Sequence, residues 1–216
     1  MANITQIFVE GDADAKFISD YILHIKPNMN AVKTPKKSEI NIYNNEALIV
    51  AIHGLTGWTD IENMKSTITK YKNENDNVLV IFDADTNDNG GGFAKRKKQI
   101  YDYNLSIDGI FLFPNNQDDG TLEDLLENII TQTNKPIFDC WDKFENCLQE
   151  NASKKIGKEL ITPAKKSKIY VYLESLLGKT QEEKKKIKDP FRDYSIVEHW
   201  NLNAEYLEPL KKFLIF

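Results

Sequence analysis

Val78-Leu79-Val80-Ile81-Phe82-Asp83-Ala84-Asp85 is the stretch from which the fold can be read. Five apolar residues in a row, four of them β-branched or aromatic, lack the alternation of a half-exposed strand and predict one covered on both faces. Two carboxylates stand where it ends, and period-2 spacing places both on the same side. Ligands in open α/β sheets gather beyond the carboxyl ends of the strands. Asp83 and Asp85 are therefore candidates for a divalent cation or for phosphate chemistry, with an acidic turn as the plain alternative.

Upstream, Ile4 to Val9 makes a second apolar run, closed by Glu10-Gly11 and followed by Ile18, Tyr21, Ile22 and Ile25 at helical spacing. Glu10 thus takes the same kind of place as Asp83. Asp12 and Asp14 fall in the helix's first turn, where acids complement the helix dipole; Asp14 can also point back toward the strand ends. Residues 26–46 are polar, carry Lys33 and Lys36, are broken by Pro27 and Pro35, and predict a loop with at most one short strand. Ala47 to His53 is a further strand. Thr59 to Glu62 has capping-box spacing before a helix bearing Ile61, Met64, Ile68 and Tyr71. His53 reads as hydrogen-bonded structure ahead of a ligand.

Downstream of Asp85 a glycine-bearing loop, 86–92, leads to a helix with Lys95-Arg96-Lys97-Lys98. That cluster either contacts a phosphate backbone or forms a solvated helix face. Ile107 to Phe113 is the fourth strand. Thr121 to Asp124 has capping-box spacing, which explains Glu123 and Asp124 structurally while leaving them at the sheet's carboxyl edge. Four strands alternating with helices predict an α/β fold with a mostly parallel sheet and right-handed crossovers. From Pro136 the pattern is helical: Ile137, Trp141, Phe144 and Leu148; then Thr162 to Gly178; a lysine-rich turn, Lys179 to Lys188; and a last helix from Asn203.

The 216 residues, 41% hydrophobic and 28% charged, suffice for one sizeable core. A net charge of −5 argues against a diffuse electrostatic grip on nucleic acid, though local lysine patches remain compatible with one. Cys140 and Cys147 predict reduced core thiols, and neither a membrane span nor a basic-then-apolar leader is seen, so the expected setting is cytoplasmic.

Val9-Glu10-Gly11-x-x-Asp14 with a later Asp83-x-Asp85 resembles the TOPRIM domain of topoisomerases, primases and OLD-type nucleases. Pro114-Asn115-Asn116-Gln117, Gly120-Thr121-Leu122-Glu123-Asp124 and Lys165-Lys166-Ser167-Lys168-Ile169-Tyr170 extend the likeness to a bacterial group of TOPRIM-like proteins of unknown function. The resemblance implies a TOPRIM-like (Rossmann-like) four-stranded, mostly parallel sheet flanked by helices over residues 1–134, with a helical C-terminal extension, 135–216, packed on it. It further implies Mg²⁺, with Mn²⁺ as substitute, held by Glu10, Asp83 and Asp85, the glutamate linked to acid or base work; Asp14, Glu123 and Asp124 are secondary candidates. The implied function is a Mg²⁺-dependent nuclease or related phosphotransfer enzyme acting on DNA or RNA, with Lys95, Arg96 and Lys97 as phosphate contacts. Two alternatives stand beside it. One is a non-catalytic nucleic-acid or protein binding module; the other is a haloacid-dehalogenase-like phosphatase, since Phe82-Asp83-Ala84-Asp85-Thr86 resembles that superfamily's nucleophile motif and Asp118-Asp119 offers a later acid pair.

Overall fold

The structure, a computed structural model that describes residues 3–36, 38–151 and 160–215, is built around a six-stranded mixed sheet flanked by helices. The strands are β1 (Thr5–Val9), β2 (Met29–Lys33), β3 (Glu39–Asn44), β4 (Ala47–Gly54), β5 (Asn77–Asp83) and β6 (Gly109–Phe113), in spatial order β2-β3-β4-β1-β5-β6. β4, β1, β5 and β6 run parallel to one another, while β3 pairs antiparallel with both β4 and β2. The expected four-stranded, mostly parallel sheet is thus corrected to a larger mixed one. β2 and β3 both lie in residues 26–46, where a loop with at most one short strand was expected. Asn45, at a φ of 53°, makes the turn from β3 into β4 that an asparagine tolerates well.

The helices are α1 (Asp12–Ile25), α2 (Lys65–Asn73), α3 (Phe93–Asp102), α4 (Leu122–Asn128), α5 (Lys135–Asn151), α6 (Lys165–Leu176), α7 (Gln181–Ile187) and α8 (Glu208–Phe213). β1 and β5 are buried throughout apart from Asp83 itself and Asn77, because helices cover both faces. Ile7, Val9, Leu79, Ile81, Phe111 and Phe113 point to one face. They pack with Phe17 and Ile18 of α1, Leu125 of α4 and Tyr172 of α6. Phe8, Val78, Val80, Phe82, Ile110 and Leu112 point to the other, against Ile61, Ile68 and Ile100. The alternation along each strand is therefore real, with both sets apolar. Tyr194 and Trp200, from the C-terminal helical region, complete the first face, their ring centroids 5.7 Å apart.

Local details depart from expectation in three places. Trp58–Met64 is a 3₁₀ helix without a side-chain cap, and the Thr59 to Glu62 spacing makes no capping box; Asp60 instead accepts the Thr56 N–H at 3.1 Å. Lys179 to Lys188 is not a turn but contains α7, opened by a Thr180–Glu183 capping box. Cys140 and Cys147 are exposed on α5 rather than core thiols. The Thr121–Asp124 capping box forms as its spacing predicts. Among the described residues, no helix is long and apolar enough to cross a membrane.

Candidate functional site

Adjacent parallel strands β1 and β5 pair with Val9 opposite Ile81, so the residues that follow them emerge side by side. The chain leaves β1 toward β4 and leaves β5 toward β6, in opposite directions along the sheet. That divergence opens a crevice at the carboxyl ends, the usual ligand position in such sheets. Glu10 stands at the end of β1 and Asp83 at the end of β5. The Asp83 backbone N–H donates to Glu10 Oε1 at 2.9 Å, and the Leu122 N–H, at the start of α4, donates to Asp83 Oδ1 at 2.8 Å. α1 begins immediately after Gly11 and brings Asp14, only 8% exposed, to the same place. A cleft of about 250 Å³ results, lined by Glu10, Asp12, Asp14, Asp83 and Glu123, with Lys166 on its wall.

Burial and crowding make these carboxyls reluctant to ionise. Burial, then the Asp85 charge, pushes Glu10 up to about 7 against the hydrogen bond from Asp83. Burial, then the charges of Glu10 and Glu123, pushes Asp14 up to about 8. Burial together with Asp14, Glu10 and Glu123 raises Asp83 well above the carboxylate range. Near neutral pH a positive charge that joins such groups favours their charged form. Lys166 supplies one at the wall. Burial lowers its ammonium, but the bond to Asp189 (2.5 Å) outweighs that and holds it above its ordinary value.

Asp85 departs from the period-2 expectation. The strand stops at Asp83, and Asp85 takes a left-handed φ of 58°, exchanging backbone hydrogen bonds with Gly120 at 2.8 and 2.9 Å. Its carboxylate is absent from the cleft lining and is paired with Arg96. Arg96 is buried, with its guanidinium carbon 4.0 Å from the Trp58 ring centroid, so it is not the solvent-facing phosphate contact that the basic cluster suggested. Lys95 is exposed on α3, and Lys97 lies 5.3 Å from the Phe93 ring centroid. The cluster is therefore split between interior and solvent. Asp124 is engaged by the Thr121 N–H (2.8 Å) and by Lys165. Asp119 accepts the Phe93 N–H at 2.6 Å, and Asp118 accepts from Asn115 at 2.8 Å. His53 contacts Gln6 at 2.7 Å, as hydrogen-bonded structure.

Three contributors carried no role in the sequence reading. Lys166 sits in the quoted Lys165 to Tyr170 run, but nothing in that run says which lysine turns to the cleft. Asp189 opens the short 3₁₀ helix Asp189–Phe191 and is held by Arg192 (3.0 Å) while it holds Lys166. Asp12, which dipole complementarity seemed to explain fully, lines the cleft and accepts the Ser38 hydroxyl at 2.5 Å.

An all-oxygen, carboxylate-rich donor set suits a hard cation such as Mg²⁺ or Mn²⁺. Among the described residues, no three of His, Cys, Asp and Glu close up into a ready-made metal cage. A cation here would complete its sphere with water or substrate oxygens, as Mg²⁺ commonly does. Residues 4–215 match a family model described as a protein of unknown function, DUF3226. No curated protein and no solved structure matches the chain.

Proposed function

We propose that this chain, which belongs to the DUF3226 family of proteins of unknown function, is a Mg²⁺-dependent phosphodiester hydrolase or related phosphotransfer enzyme with a TOPRIM-type carboxylate site, acting on nucleic acid. The observation that carries the reading is the joining of Glu10 and Asp83 across neighbouring strand ends, with Asp14 buried in the same cleft. Glu10 and Asp83 would hold the cation, with Asp14 and Glu123 adding negative charge around it and Asp85 within electrostatic reach of Glu10. Bound Mg²⁺ supplies a Lewis acid for a phosphoryl oxygen and lowers the pKa of a coordinated water.

The chain's own groups supply the rest. In the cation-free cleft Glu10 titrates at about 7, so a cation that binds it near neutrality would displace a proton. Asp83 is oriented by the Leu122 N–H, so its free oxygen faces a fixed direction. Lys166, steered by Asp189, offers a cation to a substrate phosphate at the cleft wall.

Cleavage of plasmid DNA and single-stranded RNA with Mg²⁺ or Mn²⁺, comparing wild type with Glu10→Ala and Asp83→Ala, tests the reading. Metal-dependent cutting lost in both variants is the expected result; cutting that survives either substitution, or needs no divalent cation, counts against it. A second reading, a binding module without turnover, is favoured by the Arg96–Asp85 pair, which takes one carboxylate out of the cleft. Cation binding without cutting would select it.

A further inference from the structure

The Arg96–Asp85 pair is built differently from an ordinary surface ion pair. Asp85's backbone is fixed from both sides. It exchanges two hydrogen bonds with Gly120, and Gly91 packs so closely that a Cβ there would stand 2.4 Å from the Asp85 Cβ. The Asp85 Cβ is thus fixed, and its carboxylate can change partner only by turning about the side-chain bonds. Its side chain is 26% exposed, and that of Arg96 4%.

Arg96, by contrast, is incompletely satisfied. Of its five N–H donors, one on Nη2 meets Asp85 and one on Nη1 meets Gln99 (3.3 Å), while Nε is buried with no partner among the described residues. Buried polar groups are ordinarily hydrogen-bonded, so an orphaned donor marks a group whose present partners are not its whole repertoire. What holds the guanidinium independently of Asp85 is the Trp58 ring beneath it. The Trp58 ring packs on the Phe8 and Phe82 face of the sheet, while its backbone borders the cleft. Its neighbours Thr56 and Gly57 line the cavity, and its backbone N–H bonds the Glu10 carboxylate. Glu10, Trp58, Arg96 and Asp85 therefore form a continuous chain of contacts that leads away from the cleft.

We propose that Arg96 and a divalent cation compete for the Asp85 carboxylate, with Trp58 keeping the guanidinium stacked on its ring when the carboxylate turns to the cation, so that Arg96 sets the cation affinity of the site. This inference rests on the metal-dependent reading above. Arg96 is a positioning residue in this scheme: it withholds Asp85 until a cation arrives. The affinity of a site whose ligand is partly occupied falls by the fraction of time that ligand is free.

The test is a Mg²⁺ titration of the full chain followed by calorimetry and by tryptophan emission. Wild type should bind with a saturable emission change that Trp58→Phe abolishes, which separates it from Trp141 and Trp200. Arg96→Met, which keeps an apolar stem on Trp58, should bind on the order of tenfold tighter, within the usual range of coupling between sites, and without the emission change. An unchanged affinity in Arg96→Met overturns the proposal while leaving the metal site standing. Tighter binding with a silent Trp58 in wild type also overturns it, because a field effect of the charge would then suffice. If Arg96→Met does not fold, the wild-type and Trp58→Phe titrations decide alone: a Trp58 signal supports the exchange and its absence refutes it. No Mg²⁺ binding by any form would fail the metal reading itself, a result distinct from all of these.

Discussion

Replacing Asp14 by asparagine should stabilise the protein above neutral pH, at the expense of the site. Asp14 is 8% exposed and its carboxyl is raised from 3.8 to about 8, first by burial and then by Glu10 and Glu123. The folded chain therefore holds this proton where the unfolded chain has released it. With more protons bound in the folded state, stability falls as pH rises between about 4 and about 8. At about 1.4 kcal/mol per pH unit, a shift of this size withdraws on the order of 4 kcal/mol by pH 7, shared between Asp14 and the carboxyls that face it. The amide is neutral at every pH and nearly isosteric, so Asp14→Asn escapes this loss. Urea unfolding without divalent cations, at pH 4.5, 6, 7 and 8, reads the difference. The variant should match wild type at the acid end and exceed it by roughly 2 kcal/mol or more at pH 8, a typical stability–function trade at such sites. Equal pH slopes for the two proteins, or a variant less stable than wild type at pH 8, would refute the reasoning.

Other consequences follow from the same geometry. Gly91→Ala places a Cβ 2.4 Å from the Asp85 Cβ and 2.6 Å from the Ala84 carbonyl oxygen; overpacking of this kind should cost about 2 kcal/mol in urea unfolding. Lys166→Met removes the ammonium at the cleft wall; it should raise KM for a phosphodiester substrate roughly tenfold, the worth of one charged hydrogen bond, with Mg²⁺ affinity by calorimetry changed far less. Asp124→Ala deletes half of the capping box that starts α4, so thermal or urea unfolding should show a loss of about 1 kcal/mol.

How far the sequence foretold this structure depends on how much of each element's information is local. β1 and β5 were legible because both faces are buried, leaving unbroken apolar runs that end at Glu10 and Asp83. β2 was not. It is an edge strand, its Met29-Asn30-Ala31-Val32-Lys33 side chains half-buried or exposed, and its pairing with β3 is a tertiary fact. α7 left a signal, Thr180-x-x-Glu183, masked by the run of lysines behind it. The 3₁₀ geometry of Trp58–Met64 left none, since its spacing suits a capping box that the Thr56–Asp60 contact replaces.

The candidate site divides the same way. Glu10 and Asp83 could be paired from the rule that ligands sit at strand ends. Asp85 was placed beside Asp83 by extending period 2 past the end of the strand, where a left-handed residue and the Gly120 bridge turn the chain instead. Arg96 was read as one of four consecutive basic residues, and only packing on Trp58 separates it from the others. Lys166 and Asp189 reach the cleft from the C-terminal helical region, more than 150 residues after Glu10, a proximity no local pattern encodes.

The central claim is that Glu10 and Asp83 form a cation site at the junction of β1 and β5. An anomalous difference map from crystals grown with Mn²⁺ tests it most directly. The account predicts a peak in the cleft within coordination distance, about 2.2 Å, of carboxylate oxygens from both residues, and its loss in Asp83→Asn. A cleft without a peak at saturating Mn²⁺, or a peak that touches neither Glu10 nor Asp83, would contradict it.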